Sequence, residues 1–131
     1  MKLFEVTSNK IPPGSKFNGI LFHGSNTEIK KFNRPPYGVF FSPHKGWASE
    51  YGDILTTAYV WAPKVYAVNY NDPFGEQILD ALFDREYETL ATYNKKLYEQ
   101  GYYALQTQTD SEMICVFSNA KIYSAVTGEE M

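Results

Sequence analysis

Apolar and polar positions along this chain follow two different periods. Short apolar runs of strand length come first, at residues 19–23 and 38–41, with residues 3–6 a further candidate ahead of them. Turns separate them: residues 11–15 carry Pro12, Pro13 and Gly14, and residues 33–38 carry Pro35 and Pro36, which fix φ and remove donors. Ser42 is placed to cap a helix with Pro43 at its first position, running to Tyr51 and stopped by Gly52. Trp47 and Tyr51, four apart, would share one face. Residues 54–61 and 64–70 read as strands broken at Pro63, being rich in aromatic and β-branched residues. From Gly75 to Gln100 the period lengthens. Leu79, Phe83, Tyr87, Leu90, Tyr93 and Leu97 recur every three or four positions, while Asp80, Asp84, Glu88 and Lys95 lie mostly off that stripe. This predicts one long amphipathic helix closed by Gly101. Residues 102–107, 112–117 and 121–125 complete the strands.

Strands and helices are therefore segregated rather than alternating, which favours an α+β fold over a doubly wound parallel sheet. With 131 residues and no repeat, low-complexity tract or long linker, the chain reads as a single domain, residues 1–131. Hydrophobic residues at 44% allow a real core. A net charge of −3 argues against a broad electrostatic grip on nucleic acid or anionic membrane. The lone Cys115 sits in an apolar run and reads as a buried thiol, with no second cysteine for a disulfide or a structural metal. No signal-peptide pattern and no run of membrane-spanning length is present, so a cytoplasmic location is expected, without membrane attachment.

Three segments carry candidate chemistry. Leu21-Phe22-His23-Gly24-Ser25 is a strand that delivers a histidine and then a glycine. Gly38-Val39-Phe40-Phe41-Ser42 leads into Ala48-Ser49-Glu50-Tyr51 on the next helix. Ser111-Glu112-Met113-Ile114-Cys115-Val116-Phe117 starts on an acid and continues apolar. In order and spacing, with a helix between, these blocks resemble the three signature blocks of the ADP-ribosyltransferase superfamily, in its His-Tyr-Glu branch, which includes diphtheria-toxin-like enzymes and poly(ADP-ribose) polymerases. Gly101-Tyr102-Tyr103-Ala104 also resembles the usual approach to the last strands, so the likeness runs from His23 to Ile122.

The resemblance implies two packed, mainly antiparallel sheets and NAD+ as substrate, with no metal required. His23 would bond a ribose hydroxyl, the backbone of Gly24 would hold the nicotinamide carboxamide, and Ser25 would add a polar contact. Phe40 stands where the family has a tyrosine, so the stack is kept and a hydroxyl lost. Tyr51 matches the second aromatic on the nicotinamide ring. Glu112 would contact the 2′-hydroxyl of the nicotinamide ribose as the catalytic carboxylate. Two further positions come from the residues nearby: Arg34, whose planar fork suits the NAD pyrophosphate, and Asp110, two before Glu112, which would orient the acceptor. His44 has no block behind it and reads as solvated or capping. The expected activity is mono-ADP-ribosyl transfer to a protein acceptor, as a phage or bacterial effector of this size would perform. A NAD glycohydrolase, or a degenerate NAD- or partner-binding module of the same fold, are the alternatives.

Overall fold

A computed structural model describes residues 12–108 and 112–131. Two sheets form. The first joins β1 (Leu21–Ser25), β3 (Ile54–Trp61) and β7 (Lys121–Ser124) in the order β1-β3-β7, all antiparallel. The second joins β2 (Val39–Phe41), β4 (Val65–Val68), β5 (Ala104–Thr107) and β6 (Ile114–Val116) in the order β2-β6-β5-β4. Its one parallel pair is β4 with β5. A parallel neighbour needs a long crossover, and the helical segment between those two strands provides it. The protein is thus α+β with two mainly antiparallel sheets.

Three layers result, and β6 shows why. Ile114 and Val116 join Leu21, Phe41, Val60 and Ile122 in a core between the sheets. Cys115 points the other way, into a second core with Ile78, Leu79, Leu90 and Leu97 from the helices. The second sheet is covered on both faces, which is why its strands read as continuous apolar runs. Cys115 is fully buried as expected. Its Sγ donates to the Tyr37 carbonyl (3.1 Å), and burial pushes the thiol up to about 12.

The helices depart from expectation in two places. Ser42 does not cap the helix after β2. Its backbone instead pairs with Phe22 (2.8 and 2.9 Å), tying one sheet to the other. Its Oγ accepts from the His44 N–H (3.1 Å), closing a bend at Pro43 and His44, so helix α1 begins only at Lys45 and is limited to Lys45–Ala48, followed by a 3-10 turn at Ser49–Tyr51. The long helix is two helices, α2 (Pro73–Phe83) and α3 (Tyr87–Glu99). At the end of α2 the Arg85 N–H donates to Leu82 O and the Glu86 N–H to Ala81 O, with Arg85 at φ +55°. That is a left-handed helix stop, normally made by glycine. Placing a side chain there costs roughly 1–2 kcal/mol. Nothing in Asp84-Arg85-Glu86 signals it, which explains the apparently unbroken stripe. Where the stripe continues across the break, Phe83 and Tyr87 are exposed, while Leu79, Leu90 and Leu97 are buried.

Candidate active site

The bridge between Phe22 and Ser42 makes one end of the two sheets converge, and a cavity of about 220 Å³ opens there. β1 contributes His23 and Gly24, β2 contributes Phe40, the turn after α1 contributes Tyr51, and the approach to β6 contributes Glu112. Five residues singled out from the sequence therefore line one cavity. Trp47, on the same face as Tyr51, lines it too, as do Glu50, Phe83 and Met113. The lining holds two carboxylates and no lysine or arginine.

His23 is held tightly. Its Nδ1 lies 2.6 Å from the Phe40 carbonyl, so that nitrogen carries the proton and donates. Phe32 meets the ring edge-on at 5.0 Å, and Phe41 is 5.5 Å away. Burial lowers its pKa, against the smaller raising effect of the Phe40 carbonyl. A neutral ring with Nδ1–H leaves Nε2 as an acceptor, able to take a hydrogen bond from an alcohol.

Gly24 is needed for a reason beyond ligand approach. A Cβ there would collide with the carbonyl oxygen of Ala48, at the end of α1. The glycine lets α1 and its following turn close against β1, and that closure carries Tyr51 to the cavity. Tyr51 is 40% exposed and lines the cavity. Burial raises the Tyr51 pKa, and Arg85, close by, lowers it by less. Phe40 packs in a cluster with Tyr37 and Tyr87, each at 6.4 Å. Tyr37 also lies 4.8 Å from Tyr87, so α3 supports this wall.

Glu112 stands at the lip, half-buried, with His44 Nε2 3.8 Å from its Oε1. His44 was read as solvated or capping. It is the residue before α1 and its side chain is exposed, but it makes no capping hydrogen bond and instead faces the candidate catalytic carboxylate. It stands there in the bend between Ser42 and α1, and no motif in the sequence indicates that.

Two other residues are not brought to the cavity. Ser25 Oγ donates to Thr27 O (2.6 Å), closing the turn after β1. Arg34 turns inward: its two terminal nitrogens donate to Phe117 O (3.0 Å) and Ala120 O (2.9 Å). Its fork fastens the loop to the β6–β7 turn, and it lines a separate hollow beside α3. Arg34, expected at the pyrophosphate, thus bonds to backbone through both terminal nitrogens and does not line the cavity with His23 and Glu112. A more open groove of about 420 Å³ shares His23 and Phe40 with the cavity, and Lys30 and Lys31 line it. Asp110 lies outside the described residues. Among those described, no cluster of histidine, cysteine or carboxylate side chains could hold a metal. No helix is long and apolar enough to cross a membrane.

Neither a family model nor a curated protein matches this chain. A solved structure does, described as "Crystal structure of an anti-CRISPR protein", with a TM-score of 0.50 and 17% identity. The match covers 91% of this chain and 99% of that one. The likeness is one of fold. It extends over nearly the whole of both chains, so the arrangement of sheets and helices that builds the cavity is not peculiar to this sequence.

Proposed function

We propose that this chain is a NAD-dependent mono-ADP-ribosyltransferase with an ADP-ribosyltransferase-like fold, and that the cavity takes the nicotinamide end of NAD+. The observation that carries this reading is the convergence of His23, Phe40, Tyr51 and Glu112, from four separate segments, on one cavity. Its character suits that ligand. Nicotinamide in NAD+ is a planar cation, and an aromatic lining with carboxylates and no basic side chain favours such a group. At about 220 Å³ the space is below the roughly 300 Å³ at which pockets for drug-sized ligands begin. It admits a ring and its sugar, while the rest of the dinucleotide extends along the groove beyond His23. There Lys30 and Lys31 supply the positive charge for the pyrophosphate.

The chemistry follows from the charges. As the nicotinamide–ribose bond breaks, its electron pair passes to the ring nitrogen and positive charge builds on the sugar, as in glycoside hydrolysis. A fixed carboxylate at Glu112 stabilises that charge in the transition state more than in bound NAD+, which raises rate rather than affinity. His23 Nε2 accepts from a ribose hydroxyl and fixes the sugar. The aromatic faces hold the ring, at about 1–3 kcal/mol each by analogy with stacked bases. The acceptor we infer is a protein side chain. A phage or bacterial effector role is in keeping with the neighbour's description as an anti-CRISPR protein.

One observation favours a second reading. Phe40 lacks the hydroxyl of the family tyrosine, as a binding module without turnover could tolerate. Mass spectrometry of a bacterial lysate treated with the purified chain and NAD+ distinguishes the readings. A peptide heavier by one ADP-ribose supports transfer. Consumption of NAD+ with free ADP-ribose alone points to a glycohydrolase, and unchanged NAD+ to the binding module.

A further inference from the structure

The stop at the end of α2 is made by the wrong residue for its backbone. Arg85 sits at φ +55°, with both hydrogen bonds of a glycine-type helix stop in place. A residue kept in a conformation that disfavours it points to work done by its side chain. That side chain reaches back over the cavity wall: its guanidinium carbon is 5.7 Å from the centre of the Tyr51 ring. Among the described residues no carboxylate lies within ion-pair distance of it. Phe83, two residues earlier, lines the cavity itself. The corner between α2 and α3 is therefore part of the cavity's outer wall.

We propose that Arg85 is a positioning residue that braces Tyr51, lying against its ring so that the ring stands as a fixed face for the ligand. The brace rests on the nicotinamide reading for its ligand but not for its geometry. Tyr51 belongs to a single 3-10 turn, Ser49–Tyr51, that contributes no buried residue. An exposed ring on so short an element has little of its own to hold it. A guanidinium held over it from the end of α2, 5.7 Å from its centre, supplies a contact from outside the turn, and Arg suits this better than Lys because its flat fork can lie along an aromatic face.

Three Arg85 variants, one of them repeated in a Tyr51→Ala background, test the brace by two readouts beside the melting temperature. The first readout is the fluorine NMR signal of Tyr51 in fluorotyrosine-labelled protein, assigned as the resonance absent from Tyr51→Phe. The second is the affinity for NAD+. Arg85→Gly gives the backbone the residue it prefers and removes the brace. The melting temperature should rise by about 2–5 °C, the Tyr51 signal should shift and sharpen, and NAD+ binding should weaken about two- to five-fold, as an exposed cation–π contact is worth. Arg85→Lys should fall between the parent and Arg85→Gly. In a Tyr51→Ala background, Arg85→Gly should cost no further affinity, which separates a brace acting through the ring from a direct ligand contact. Arg85→Gln keeps a side chain in the left-handed conformation and must reproduce the NMR change even if Arg85→Gly folds poorly. An unchanged Tyr51 signal in both variants, or an equal loss of affinity with and without Tyr51, overturns the proposal. If the parent does not bind NAD+, the nicotinamide reading fails while the NMR signal still judges the brace.

Discussion

The ends of α2 and α3 are the same device built from different residues. At α3 the Gly101 N–H donates to Tyr98 O and the Tyr102 N–H to Leu97 O, with Gly101 at φ +89°. At α2 the pattern repeats one for one, with Arg85 where Gly101 stands. The α3 end feeds β5 and lines no part of the cavity, and it uses the residue that turns the chain at least cost. The α2 end stands beside the candidate active site, and its residue reaches the Tyr51 ring. Where a fold only has to close, local preference decides the residue. Where it also has to present a surface, local preference gives way.

The same division should separate the effects of substitution. The largest effect is expected within the site itself. Glu112→Gln keeps shape but removes the charge, so nicotinamide release should fall on the order of 10²–10³-fold. NAD+ affinity should stay within about tenfold, since the ground state puts little positive charge on the ribose. Equal release rates in parent and variant would remove Glu112 from its role. Next comes Tyr51→Ala, which should weaken NAD+ binding by roughly 1–3 kcal/mol, whereas Phe40→Tyr should be tolerated. A calorimetric titration of NAD+ into each variant reads this directly, and unchanged affinity in Tyr51→Ala would take that ring out of the site.

Gly101→Ala tests the structural end. The nearest atom to a Cβ there is Lys64 Nζ at 4.0 Å, so there is room for it and the cost is in the backbone alone. A loss of about 1–2 kcal/mol in denaturant unfolding is expected, with NAD+ affinity unchanged. Together with Arg85→Gly this gives opposite signs at two ends of one geometry. If both substitutions shifted stability in the same direction, the contrast would collapse.

The smallest effect concerns pH. Burial holds the His23 pKa below its ordinary value of 6.5. As pH falls from about 6.5, the unfolded chain binds a proton at this position before the folded one does. Stability therefore declines from about pH 6.5 down to the folded pKa, then levels for this group. Replacing His23 with Gln should flatten that part of the stability profile relative to the parent. Parallel profiles would show that His23 is not the group responsible.

Much of this was legible in the chain because it rests on local pattern. Residues 54–61 form the strand expected of them, and the three blocks around His23, Phe40 and Glu112 were legible as short apolar runs of strand length, which the fold brings to one cavity. What the pattern did not reveal depends on contacts distant in sequence. The break in the long helix has no glycine or proline to mark it, because Arg85 takes that place. Arg34 looked like a free cation in a loop, but its partners are carbonyls at residues 117 and 120. His44 meets Glu112 across the fold, from the bend that follows the Phe22–Ser42 bridge.

The central claim is that the cavity binds the nicotinamide end of NAD+ and breaks its bond to ribose. The direct measurement is NAD+ affinity and nicotinamide release by the unmodified chain, side by side and with a bacterial lysate as the source of acceptor. The account predicts saturable binding, together with nicotinamide release above background. Binding without release would leave a module that holds NAD+ without turning it over. Absence of both would contradict the nicotinamide assignment of the cavity altogether.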